Sequence, residues 1–485
     1  MRTQHFKLIL KRIGSYNLIA YIFFIAFGIM TFFDAYARIL ISDPAYYLFN
    51  IINKSGFLIP DGRYTAVINQ SLVVFAVKLK LPLDYLIQIY SVSFFIIRLF
   101  YFFIVNNVFK NRSAGLAIIA ISVLGVAESY YRPTSESTIA LLNSILLYAF
   151  LTYTHNKKGG IWKFVIQFTG ALLLVLFGYY THPIALFSLL FVVIYYILIN
   201  NTFKSVIPYL VIGFTLTLFL WKVFVGTNSD HHDSLYGNLI ASPVTIFNEI
   251  TSYYPYKFFV HSYAKLYKPL FIMFAVGVFM LFAHKSKRLT GLVSALYILG
   301  YFVIVCTSFK RGDANMQMEK IFLPMVMFSA LLFSDGVCLL RNNKIPVHSI
   351  AVVLIAFLGF QNISRVRPLY QGRIDYLKQI VLSADKQENR KLIINSEQLD
   401  RKIVFTWAMG IETLMLSSID KEMEPLTVYC IQNQEKLEGK KDNPNNFIVS
   451  HFRTSYDYAQ FNKHYFSLPG QNYEYWPADL KFKNP

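Results

Sequence analysis

Residues 17–33 read NLIAYIFFIAFGIMTFF, and this stretch decides the fold. No charge interrupts it, and four cations, Arg2, Lys7, Lys11 and Arg12, precede it. A run of this length is long enough to cross a bilayer. In hydrocarbon it must be helical, because every backbone N–H needs a partner within the segment. It is longer than the apolar core of a secretory signal and lacks a small-residue cleavage site, so it reads as a retained span. The cations before it put the N-terminus in the cytoplasm.

Ten further runs follow, at about 85–106, 114–130, 137–153, 164–180, 184–199, 206–224, 269–283, 290–307, 321–339 and 346–361. The expected fold is an all-α polytopic membrane bundle of about eleven transmembrane helices. The composition agrees, with 55% hydrophobic residues, 34 Tyr and 45 Phe over 485 positions. Much of the Tyr clusters at span ends, as interfacial belts require.

The net charge of +19 raises the question of nucleic acid. Residues 1–361 hold 29 Lys and Arg against 12 acids, so the excess sits in the membrane part. Positive-inside topology accounts for much of it, and no nucleic-acid motif accompanies it. Five predicted inner loops carry Lys110 and Arg112; Lys157, Lys158 and Lys163; Lys204; Lys285, Lys287 and Arg288; and Arg341 and Lys344. None contains Asp or Glu. Of the acids in this part only Asp335 falls near the inner face, and the rest gather at or beyond the outer one. An odd number of spans puts the C-terminus outside. The three cysteines, Cys306, Cys338 and Cys430, have the spacing of neither a disulfide framework nor a zinc site.

Three exterior segments are large. Residues 34–84 contain helical stretches at about 44–54 and 64–80, read as helices on the membrane surface. Residues 225–268 form a long loop rich in Tyr, His, Ser and Asn. Residues 362–485 have the composition of a soluble domain. KLIIN at 391–395 and LTVYCI at 426–431 read as strands with a helix near 405–417 between them, a small α/β unit. The division is therefore a membrane domain, 1–361, and an exterior domain, 362–485.

Five clusters could carry chemistry. SDPAYYL at 42–48 follows the first span. Asp43-Pro44 suits a helix start, and Asp43 is equally a candidate general base. Asp34 competes with it, or simply marks the end of the span. ESYYRPTSES at 128–137 sets Glu128, Arg132 and Glu136 in one exterior turn, as a polar loop or as the lining of a site. GYYTHPIALF at 178–187 puts His182 at a span junction, where a structural role competes with a donor or ligand role. FKRGDANMQMEK at 309–320 surrounds Asp313 and Glu319 with Lys310, Arg311 and Lys320. That is ordinary headgroup anchoring, or fixed cations for a lipid phosphate, with Arg63 and Lys54 on the same side. SDHHD at 229–233 is a solvated loop or a divalent-cation ligand set. Phosphate-binding loops, dinucleotide fingerprints and zinc-hydrolase motifs are absent, so no nucleotide is expected.

Asp43-Pro-Ala-Tyr-Tyr-Leu, then Gly56, then Pro82 before the second span, resembles the first-loop pattern of the GT-C superfamily of membrane glycosyltransferases. These are the polyprenyl-phosphate-sugar-dependent enzymes that include protein mannosyltransferases and the aminoarabinose transferases of lipid A. Arg132-Pro-Thr-Ser-Glu136 is similar to the family's Arg/Glu entry to its fourth span. The tail stretch from Trp407 to Ser417 resembles tails of bacterial members. The architecture matches over most of the chain: an inner N-terminus, a large first exterior loop, eleven spans and an exterior C-terminal domain. Pro44 stands where the family usually has a polar residue, which leaves Asp34 open as the counterpart of Asp43.

The resemblance implies transfer of a sugar from a polyprenyl-phosphate donor to a lipid or glycan acceptor, with inversion, at the outer face of a bacterial cytoplasmic membrane. Asp43 or Asp34 would be the base. Arg63, Arg132, Lys310 and Arg311 would hold the phosphate, and Glu128, Glu136, His182 and Glu319 would contact substrate. Some relatives need a divalent metal, and the sequence does not decide that. The competing readings are a polymerase or ligase of lipid-linked glycans and a transporter. A transporter places its site near the midplane, where Arg98 and Lys222 fall.

Overall fold

The computed structural model describes residues 2–477 apart from 135, 156, 158, 183, 226–248, 310–313, 340–345, 400–404, 421, 432–436, 438 and 450–454. Helices dominate. The first group is α1 (Arg2–Phe33), α2 (Ala35–Ile39), α3 (Ser42–Lys54), α4 (Ala66–Lys78), α5 (Leu83–Phe103) and α6 (Arg112–Val123). Then come α7 (Glu136–His155), α8 (Ile161–Tyr179), α9 (Ile184–Asn200) and α10 (Val206–Val225). A bent pair, α11 (Tyr254–Leu266) and α12 (Lys268–Ala283), meets at 91°. It precedes α13 (Arg288–Ser308), α14 (Asn315–Cys338), α15 (Val347–Ala384) and α16 (Met409–Ile419).

Among the described residues seven helices are long and apolar enough to cross a membrane, or eight if the bent pair is one span. The chain thus has the helices of a multi-pass membrane protein. Their outward faces bear Ile25, Phe33, Trp162, Leu296 and Phe357, all more than half exposed. Apolar surface on that scale needs lipid as its solvent.

Each of the eleven expected runs contains helix, but not all match the expected length. The run at 114–130 stops as a helix at Val123. At about 1.5 Å per residue, α6 covers well under the hydrocarbon thickness. Gly125 turns the chain with φ +83°, a conformation that costs glycine little. A Cβ there would stand 2.7 Å from Tyr263 Oη and 2.9 Å from Val326 Cγ2. The backbone then runs irregularly through a buried turn before α7. Irregular backbone at membrane depth is tolerated where protein surrounds it, and here Ser129, Tyr130, Tyr131 and Arg132 are all buried. Gly125→Ala is expected to cost about 1–3 kcal/mol through strain and overpacking. A lowered thermal midpoint of the purified protein checks this.

The loop expected at 225–268 contains α11, and residues 226–248 lie outside the described ones. On α12, Gly277 lets α14 approach until a Cβ would lie 2.6 Å from Phe333 N. Small residues allow such close helix packing in membranes.

The tail holds a parallel sheet, β2 (Thr427–Ile431) beside β1 (Lys391–Asn395) beside β5 (Glu474–Tyr475). Lys391 pairs with Thr427 and Leu392 with Glu474. The helix between β1 and β2 is α16, so the expected strand–helix–strand unit is present. An antiparallel pair, β3 (Asn446–Ile448) and β4 (Ser455–Asp457), adds a second layer.

The tail is joined closely to the membrane helices. The boundary at 361/362 falls inside α15, which runs unbroken from Val347 to Ala384. One apolar core also continues from the membrane helices into the tail. The stretch read as a surface helix at 44–54 is α3, and its apolar face meets protein rather than lipid. Phe49 packs against Phe447, Tyr456, Phe461 and Phe466 at 5.2–5.5 Å between ring centroids. Tyr456 Oη donates to Asn50 Oδ1 at 3.0 Å. By contrast α4 leaves Leu72 and Phe75 exposed, as contact with lipid would require.

Candidate functional site

The site is built around the start of α3. Ser42 has φ +37°, a strained conformation for a residue with a Cβ. Two groups from the distant tail hold it. Ser42 N donates to Glu412 Oε1 at 2.7 Å, and Arg373 Nη1 donates to Leu40 O at 2.7 Å. Arg373 and Glu412 also form an ion pair, with side chains 3% and 0% exposed. This clamp fixes the elbow at 40–42, and Asp43 follows it.

Asp43 is ion-paired with Arg132 from the buried turn, the two side chains being 19% and 7% exposed. Arg132 also donates to Met316 Sδ at 3.2 Å and lies 5.3 Å over the ring of Phe405. The turn that carries it is tied down on both sides. Arg38 donates to Tyr130 O at 3.1 Å and to Ser91 Oγ at 2.7 Å. Glu319 Oε2 accepts from Ser129 N at 2.8 Å, and its Oε1 accepts from Tyr267 Oη at 2.7 Å.

A second ion pair lies beside the first. Arg63 Nη1 stands 3.2 Å from Glu136 Oε2, with side chains 13% and 6% exposed. Lys320, buried on α14, is in electrostatic reach of Arg132, Asp43, Glu136 and Glu319. The Tyr47 hydroxyl lies near Glu136, Asp43 and Arg63, and burial pushes it well above its ordinary range, so it stays a proton donor. Three cations and two carboxylates therefore meet in a largely dry setting. Such an arrangement can hold an anion while leaving one carboxylate, Asp43, the more open to solvent.

The expected site residues separate accordingly. Asp43, Arg63, Arg132 and Glu136 come together. Asp34 does not join them: it ends α1, is 1% exposed, and pairs with Arg367 at 2.9 Å. Burial raises its carboxyl above the usual range, opposed by Arg367 and Arg38. Glu128 accepts from Asn315 Nδ2 at 3.3 Å. Glu319 serves the turn, as its bonds to Ser129 and Tyr267 show. His182 Nδ1 accepts from Ile184 N at 3.2 Å at the start of α9, which suits a structural role. Lys310, Arg311 and the 229–233 cluster lie outside the described residues. Among the described residues no three His, Cys, Asp or Glu side chains are grouped to hold a metal.

Sequence reasoning placed Lys320 among the candidate phosphate cations of 309–320 without linking it to Asp43 and Arg132, and it missed three contributors: Tyr47, Phe405 and the Arg373–Glu412 clamp. Lys320 had a signal, being a cation one turn into an apolar helix. The others reach the site only through tertiary packing. No protein-family model, curated protein or solved structure matches this chain.

Proposed function

We propose that the chain is an integral-membrane glycosyltransferase that moves a sugar from a polyprenyl-phosphate donor to an acceptor hydroxyl, with inversion. The observation that carries this reading is the Asp43–Arg132 pair with Arg63, Glu136 and Lys320 beside it. A lipid-phosphate sugar offers two things to such a site. Its phosphate needs cations, and its acceptor hydroxyl needs a base.

Arg132 links the two needs. With the site empty its guanidinium holds Asp43. An incoming phosphate competes for the same fork, which binds phosphate as readily as carboxylate. Asp43 is then released to accept the proton of the acceptor hydroxyl. That oxygen forms the new bond to the anomeric carbon. The bond from that carbon to the phosphate oxygen breaks, and polyprenyl phosphate leaves with its electron pair. Arg63, Arg132 and Lys320 offset the charge that develops on it. Tyr47 can donate to either anion. The reading includes eleven spans, an inner N-terminus and a site facing out from a bacterial cytoplasmic membrane. Glu128 and Glu136 are assigned to the acceptor side.

The test is binding of polyprenyl phosphate to the reconstituted protein. Saturable binding is expected, weakened at least about tenfold in Arg63→Ala, the worth of roughly one charge-assisted contact. Equal binding of wild type and variant would remove the phosphate role. Binding of a free solute but of no lipid phosphate would favour transport. Asp34→Asn is expected to lower thermal stability and to retain sugar transfer, because Asp34 is engaged by Arg367 away from the cluster. Loss of transfer with folding intact would move the base to Asp34.

A further inference from the structure

Beside Arg132 lies a small cavity of about 20 Å³. Among the described residues four cationic side chains line it, Arg38, Arg98, Arg132 and Lys320, and no carboxylate does. Three donors on the lining residues are buried without a hydrogen-bond partner: Arg98 Nε, Arg132 Nε and Ser129 Oγ. Among the described residues Lys320 makes no hydrogen bond or ion pair, although it is only 8% exposed.

Among the described residues four acids lie within electrostatic range of these cations; three are engaged elsewhere, and Asp43 is held by Arg132 itself. Asp34 pairs with Arg367, Asp43 with Arg132 and Glu136 with Arg63. Glu319 accepts from Ser129 N and Tyr267 Oη. Arg38 spends its bonds on uncharged oxygens of Tyr130 and Ser91, and Arg98 donates to Phe94 O at 2.6 Å. Buried charge without a counter-charge is costly, and buried orphan donors add to the cost. An anion in the cavity would relieve both.

Size selects the anion. A water needs about 10–15 Å³ of such space, so this cavity takes one atom-sized guest. A phosphate or sulfate, with four oxygens around its centre, would fill it to its walls, whereas a halide is a single atom. A water fits but brings no charge. The walls also include Phe27 and Leu323, which favour a weakly hydrated ion. We propose that this cavity is a resident site for a monatomic halide, chloride in the cell, held by Arg98, Arg132, Lys320 and Ser129. The ion takes the unpartnered Nε of Arg132, while Asp43 or phosphate engages its Nη2. It shares Arg132 and Lys320 with the proposed phosphate site, adds Arg98 and Ser129, and stands whether or not the transferase reading does.

Two measurements on the full-length purified protein test it. The thermal midpoint is followed in sodium chloride, bromide, sulfate and gluconate at equal ionic strength. Chloride and bromide are expected to raise it saturably, with sulfate and gluconate alike and lower. Arg98→Met should lose the halide increment while matching the wild type in gluconate. Crystals of the wild type grown in bromide should show an anomalous peak between Arg98, Arg132 and Lys320. That measurement decides the matter even if the variant fails to fold. Equal midpoints in all four salts with no bromide peak would overturn the site and leave a water there. A shift with sulfate equal to that with chloride would overturn it in favour of a surface oxyanion effect.

Discussion

Asp43→Asn is expected to lower sugar transfer by about 10²–10⁴-fold, the range that a positioned general base contributes. The substitution keeps the size of the side chain and removes its capacity to take a proton. The fold should survive it. Asp43 is the most open carboxylate of the cluster, at 19% side-chain exposure, and Arg132 retains Met316 and Phe405 as contacts. Donor binding should be kept or strengthened, because Arg132 no longer has a carboxylate competing for it. The discriminating readout is therefore a fall in kcat without a rise in KM, measured in single-turnover and steady-state assays. A fall in binding alone would make Asp43 a structural partner of Arg132.

The second large effect concerns the clamp. Glu412→Ala is expected to cost about 3–5 kcal/mol, because it leaves Arg373 buried without its counter-charge. It also removes the acceptor for Ser42 N, at the residue with the strained backbone. The thermal midpoint should fall steeply. Where protein can still be purified, transfer should fall as well, since the elbow at 40–42 carries Asp43. Glu412→Gln keeps an oxygen for Ser42 N and loses only the ionic part, so it should recover part of both losses. Unchanged stability in Glu412→Ala would contradict the clamp. This effect would not arise if the tail were an independent domain, because Glu412 sits on α16 and Ser42 at the start of α3.

What was legible in the sequence follows from what is local. The long apolar runs, the βαβ unit of the tail, and the proximity of Arg132 and Glu136 all depend on neighbours in the chain. So does Asp43 at a helix start. The early end of α6 was not legible, because residues 114–130 stay apolar after the helix stops and a hydropathy window cannot see Gly125 turn at φ +83°. The Arg373–Glu412 clamp was not legible either, since it grips a residue some 370 positions away. Surface location was misjudged for α3 because amphipathicity names an apolar face and not what covers it. Here the tail covers it. The choice between Asp34 and Asp43 was open in the sequence, and the geometry separates them by partner: Arg367 for one, the Arg132 cluster for the other.

The most direct measurement is a single-turnover reaction of the reconstituted wild type with a panel of polyprenyl-phosphate sugars, with no nucleotide added. The account predicts that at least one donor is consumed, that polyprenyl phosphate appears in equal amount to transferred or released sugar, and that the anomeric configuration is inverted. Folded protein that leaves every donor intact while Asp43→Asn behaves identically would contradict it.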